Sequence, residues 1–202
     1  MMTLVLPPDG YPVTLEEAKA HARVEIDDDD TLIEGFIASA TEYAEQHTQR
    51  AFLDQEWELW LECFPRDERW IEIPKPPLKT VEEIVYTDGN GDEQTLDAGL
   101  YRVLAPQGPK ARKGMVLLLP GERWPSTARG EPDTVRIRFT AGYGDDYSSA
   151  DLPQLIKDAI KVHVAEMYEN RESTVLTGAI LQEVPFSVNA LLFPFIVDKF
   201  GV

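Results

Sequence analysis

Over the first fifty residues, apolar side chains recur at every third or fourth position. In "VTLEEAKAHARV" Leu15, Ala18 and Ala22 fall on one side, and Thr14 followed by Glu17 carries the signature of a helix capping box. A second, longer helix is expected from "DDDDTLIEGFIASATEYAEQHTQRAF". There Leu32, Ile33, Phe36, Ile37, Ala40, Tyr43, Ala44 and His47 keep the 3.6-residue period while Glu34, Glu42 and Glu45 fall towards the other side. At Trp57 the period changes to two: Trp57, Leu59, Leu61 and Cys63 alternate with Glu56, Glu58, Trp60 and Glu62, which predicts a strand. "WIEI", "LYRVL", "GMVLLL" and "TVRIRFTAG" read as further strands, and "VEEIVYTDGNGDEQTL" as two strands about a Gly/Asn turn. Helical periodicity returns in "LPQLIKDAIKVHVAEMYENRE".

Helices on both sides of a block of six or seven short strands predict an α+β protein: a mainly helical domain with an all-β domain inserted, not an alternating α/β sheet. The expected boundaries are 1–54 and 148–183 for the helical domain, 55–147 for the β-domain and 184–202 for a C-terminal arm. The arm follows from "TVLTGAILQEVPFSVNALLFPFIVDKFGV", which is apolar, shows no sustained period and contains Pro185 and Pro194. Such a tail is costly to leave in water, so it packs either across its own domain or on a neighbour. Because the prolines forbid a long helix, Phe186, Leu191, Leu192, Phe193, Phe195 and Ile196 are expected to form a short helix or strap in another chain's groove.

Charge narrows the function classes. Thirty-six acids against 19 bases leave a formal net charge of −17, opposite in sign to a surface that neutralises DNA phosphates. An acidic wall can still surround DNA without gripping it. Cys63 is the one cysteine, so an intramolecular disulfide and a cysteine-based zinc site are excluded and a reducing compartment fits. "MMTLVLPPDG" lacks the basic region of a signal peptide, and "ALLFPFIV" is far shorter than the ~20 residues of a membrane helix. The expected chain is soluble and intracellular.

Candidate chemistry is sparse. In "HVAEMYENRE" His163 and Glu166 sit three apart, with Glu169 and Glu172 following, as a carboxylate metal site could require. At 100° per residue, however, His163 joins Leu152, Ile156, Ala159, Val164 and Met167 on the apolar stripe while Glu169 and Glu172 lie opposite, so a core histidine bonded to a neighbour is expected. Asp27 to Asp30 lack the spacing of an EF-hand loop and read as acids that cap a helix and favour its dipole. "TDGNGDE" is explained by a hairpin turn, and "TAGYGDD" lacks the Lys-Ser/Thr of a phosphate loop. "GPKARKG" gathers Lys110, Arg112 and Lys113: a solvated hairpin loop, or a basic patch for an acidic partner or DNA phosphate. No nucleophile–base arrangement stands out, and neither an enzyme nor a cofactor is expected.

Taken in order, "PVTLEEAKAHARV", "DDDDTLIEGFIASATEYAEQHTQRAF", "PKPPLKTVEEIVYTDGNGDEQTL" with "LYRV", "RFTAGYG", "LPQLIKDAIKVHVAEMYENRE" and "VPFSVNALLFPF" resemble the head-tail connector (adaptor) proteins of tailed bacteriophages and prophages, in the longer subfamily with a β-domain between its helices. The resemblance implies a virion structural protein of the neck at the portal vertex, assembled in the bacterial host cytoplasm. It implies a ring, commonly of a dozen copies, beneath the portal protein. Such a ring extends the DNA channel, with DNA passing unbound, and docks a stopper or tail-completion protein. No membrane is involved. In that setting Tyr168, Glu169, Asn170, Arg171 and Glu172 end a helix of the ring-forming domain and are expected at an interface. The rivals are a stopper or tail-completion protein, which an all-β chain would suit better, and a metal-dependent enzyme using the β-domain.

Overall fold

The structure, a computed structural model, describes residues 1–149, 151–170 and 186–197. The chain is mixed α and β, with four α-helices among the described residues and two antiparallel sheets. It divides into two compact units. One comprises Met1–Pro8 and Asp54–Tyr143, the other Asp9–Leu53 and the described part of Gly144–Val202.

The β unit holds eight strands: β1 Met2–Leu6, β2 Gln55–Leu61, β3 Trp70–Ile73, β4 Leu78–Thr87, β5 Glu93–Thr95, β6 Tyr101–Leu104, β7 Gly114–Leu118 and β8 Val135–Ala141. Five form a sheet in the order β1-β2-β8-β4-β5 and three a second sheet in the order β3-β7-β6. Alternation decides which side each strand buries. In β8, Val135, Ile137, Phe139 and Ala141 are fully buried, while Arg136 and Arg138 stand on the other face beside carboxylates from both neighbouring strands. Arg138 makes two hydrogen bonds to Glu56 of β2, at 3.2 and 2.6 Å. Arg136 lies 4.0 Å from Glu58, 3.9 Å from Glu83 of β4 and 5.6 Å from the Trp60 ring centre. The acids alternating along β2 are therefore the polar face of a central strand, matched by the bases of β8. Leu78 of the larger sheet lies against Gly114 of the smaller, where a Cβ on Gly114 would come within 2.2 Å of Leu78 Cδ2.

Residues 1–8 correct the expected boundaries. Met2–Leu6 were assigned to the helical domain but pair antiparallel with β2, Met2 opposite Leu59 and Leu4 opposite Trp57. The strand is short, and with Thr3 as its one polar residue it carries no sustained period-two signal. What places it is the open edge of β2, and the β unit is thus not a simple insertion into 1–54 and 148–183.

In the helical unit α1 spans Leu15–Ala22, α2 Asp30–Thr48, α3 Gln154–Glu169 and α4 Phe186–Leu192, the last running into a 3₁₀ turn at Phe193–Phe195. The capping box at Thr14 and Glu17 forms in both directions, at 3.2 and 3.1 Å. Ala18 of α1, Ile33, Ile37, Ala40 and Ala44 of α2, and Ile156, Ala159, Ile160 and Val164 of α3 form the core. Leu32, assigned to the buried side of α2, is 40% exposed. The acids at 27–30 act differently from a cap: Asp29 at the N-cap position of α2 makes no side-chain cap bond. Instead Lys19 of α1 bridges Asp27 and Asp30, each at 2.6 Å, and Tyr168 of α3 donates to Asp29 Oδ2 at 2.6 Å. The cluster ties three helices together; its position at the positive end of α2 favours the same charges.

Candidate interaction surfaces

No described helix is long and apolar enough to cross a membrane. Among the described residues, no three His, Cys, Asp or Glu side chains converge closely enough to hold a metal. His163 is buried on the core face of α3, its ring edge-on to Tyr43 at 5.2 Å. Its expected hydrogen-bonding neighbour is absent at Nδ1, which is buried without a partner. Burial lowers the pKa of this imidazole from its ordinary value, and nearby Glu166 works in the opposite sense.

The C-terminal segment departs most from expectation. Residues 186–197, assigned to an arm for another chain, are seated on their own helical unit. Arg50, itself buried, donates from Nε to the Phe195 carbonyl at 2.6 Å; Tyr43 OH donates to Asn189 Oδ1 at 2.7 Å; the Val197 N–H donates to the Thr48 carbonyl at 3.0 Å. Val188, Leu192 and Phe195 are buried, and Leu191 and Ile196 are half-buried. The physical reason is helical geometry. Stepping 100° per residue, Val188 and Leu192 share one side of α4 while Phe186 lies on the opposite one, and Phe193 opens the 3₁₀ turn that follows. Those two rings remain 88% and 74% exposed. The segment is therefore core on one side and an unusually bare aromatic edge on the other.

At the end of α3 the five expected interface residues separate. The Tyr168 hydroxyl donates to Asp29 Oδ2 within the chain. Asn170 folds back on Glu166, its amide donating to the backbone carbonyl at 3.1 Å and to Oε1 at 2.9 Å. Glu169 is exposed. Arg171 and Glu172 lie outside the described residues, as do Val184, Pro185 and residues 198–202 of the expected arm.

Lys110, Arg112 and Lys113 lie in the loop between β6 and β7, and Lys113 pairs with Glu72 of β3 at 2.9 Å. Lys110 and Arg112 are exposed. A groove of about 820 Å³ in the β unit includes Arg66, Arg69, Arg123 and Arg129, but Glu62, Asp67, Glu68, Glu122 and Glu131 line it too, so it is no basic site. A second groove, about 520 Å³, runs in the helical unit along Thr31, Gly35 and Ala38 of α2 and is walled by Tyr11, Val13 and Tyr147. Sequence reasoning passed over it, because it is defined by small residues on a helix side otherwise read as solvent-facing. Gly35, where an added Cβ would meet nothing within 4 Å, was the available signal.

Fold and surfaces thus define a two-unit α+β chain with a bare aromatic edge at Phe186 and Phe193 and a groove along α2. Residues 12–96, covering α1, α2 and strands β2 to β5, match the family described as phage gp6-like head-tail connector protein. Three solved structures share the fold over 100% of this chain and 97% of theirs. They are a neck of an empty gene transfer agent (GTA) particle computed with C6 symmetry (23% identity, TM-score 0.77), a virion of a native GTA particle (24%, 0.77) and a neck of a native GTA particle computed with C12 symmetry (24%, 0.72). No curated protein matches. The likeness to that family is thus one of sequence over residues 12–96, and the likeness to the particle structures is one of fold over the whole chain.

Proposed function

We propose that this chain is a structural protein of the neck of a phage or phage-like particle, a head-tail connector that assembles as a ring beneath the portal, extends the DNA channel and docks the next neck or tail component. The observation that carries this reading is the end-to-end fold match to chains from structures described as particle necks, one computed with C12 symmetry, joined to the family match over 12–96. The same likeness argues against an enzyme.

The chemistry of the chain is consistent with the role. A net charge of −17 per copy opposes counterion release from DNA, so a channel built from such copies lets the polyanion pass without holding it. The exposed edge of α4, the exposed Glu169 at the end of α3 and the β6–β7 loop are surfaces for neighbours. Phe186 and Phe193 serve contacts to other chains, while Leu192 and Phe195 hold the segment that presents them. The test is to tag the chain, purify particles from producing cells and locate it by electron cryomicroscopy. One ring of tagged density between head shell and tail is expected; tag located elsewhere, or missing from intact particles, overturns the proposal.

A further inference from the structure

The helical unit carries both an exposed pair of phenyl rings and an apolar groove, and it cannot bring them together within one copy. On α2 the groove residues Thr31, Gly35 and Ala38 cluster about one direction, whereas Tyr43, the residue that bonds α4 through Asn189, lies roughly 120° further round at 100° per residue. Helix α4 is held on that second side by its own buried face, with Phe186 and Phe193 turned away from it. We propose that Phe186 and Phe193 of one copy seat in the groove formed by Tyr11, Val13, Thr31, Gly35, Ala38 and Tyr147 of the next copy. This rests on the ring reading above and names the contact that would build the ring.

Three observations select a second copy as the occupant. The first is spacing: Phe186 opens α4 and Phe193 follows its last residue, seven positions on, and Thr31 and Ala38, which bound the α2 wall of the groove, are also seven apart. Two helical turns, about 10 Å, separate each pair, so both rings reach the groove at once when the helices run alongside. The second is charge. Copies of −17 repel one another, yet Phe186–Val197 contains no charged residue, and among the ten residues lining the groove only Glu34 is charged. Contact here brings the acidic surfaces together at their least charged places. The third is symmetry: a protrusion and a recess on different sides of one unit make a heterologous contact, the kind that closes into rings when the rotation permits and does not stop at a two-fold dimer.

The test uses the full chain in the purified particles. Cys63→Ser removes the native cysteine, and Ala38→Cys with Phe193→Cys places one thiol in the groove and one on the edge that should enter it. After mild oxidation, non-reducing electrophoresis should show a ladder of covalent multiples, whereas either single-cysteine variant should run as monomer. A chain present in the neck ring that gives no ladder overturns the inference and leaves the connector reading standing, the groove's occupant then being a portal or tail segment. Covalent dimers from Ala38→Cys alone would show a two-fold contact and overturn it as well. Absence of the chain from the particles removes the connector reading, and the inference with it. Phe186→Ser with Phe193→Ser supplies a second measurement. Both rings are exposed, so the variant should keep its helical circular dichroism while its incorporation falls at least tenfold; undiminished incorporation counts against the contact.

Discussion

Leu192 tests whether the C-terminal segment belongs to the core of its own unit. Its side chain is 0% exposed, on the same side of α4 as Val188, and the turn that follows is held by Arg50 at the Phe195 carbonyl. Truncation to alanine removes buried methyl groups and leaves a cavity, a change that costs about 2–5 kcal/mol in well-packed sites. Against the roughly 5–15 kcal/mol that stabilises an ordinary domain, that is a large fraction. Phe193→Ala, one residue on, removes a ring that is 74% exposed and should cost no more than about 0.5 kcal/mol. The two units can be followed separately in one urea titration. All four tryptophans, Trp57, Trp60, Trp70 and Trp124, lie in the β unit, while ellipticity at 222 nm reports mainly the helices. Leu192→Ala should move the ellipticity midpoint to lower urea by about 1–3 M for a slope near 1.5 kcal/mol/M, and Phe193→Ala should leave it in place. Equal, small shifts for both variants would refute the reasoning: the segment would then be an arm that merely rests on its unit, as its composition alone suggested.

Gly114→Ala should lower the stability of the β unit and shift the tryptophan-detected transition, because the new Cβ would lie 2.2 Å from Leu78 Cδ2 and 2.7 Å from Leu78 Cβ; an unchanged midpoint would show that the two sheets part there without cost. His163 should contribute to acid sensitivity. Its folded pKa is lowered by burial, so the unfolded chain binds the proton more readily, and stability falls as pH drops below about 6.5, the ordinary value for histidine. His163→Leu, which also removes the partnerless Nδ1, should flatten the loss of helical stability as pH falls below about 6.5 and be neutral or stabilising at pH 7; an unchanged pH profile would locate the sensitivity elsewhere.

Periodicity located α1, α2 and α3 and strands such as β3, β7 and β8, because each of these hides one side and shows the other, and that asymmetry is written in residue order; β5, exposed throughout, was legible from the Gly/Asn turn before it. The capping box at Thr14 and Glu17 was legible for the same reason: both bonds are local. Three features were decided only by tertiary structure. Met2–Leu6 become a strand because β2 offers an open edge some fifty residues away, a fact that five residues with no sustained alternation cannot carry. Asp29 and Asp30 serve as anchors for Tyr168 and Lys19, since their partners arrive on other helices. The segment 186–197 has the composition of an arm, yet Arg50, Tyr43 and Thr48 supply a seat for its backbone and for Asn189, and that seat divides its apolar side chains into buried ones and a bare pair. Local order determines which side of an element is apolar. Which surface covers that side, and which apolar groups are left for another molecule, depends on contacts between residues far apart in the chain.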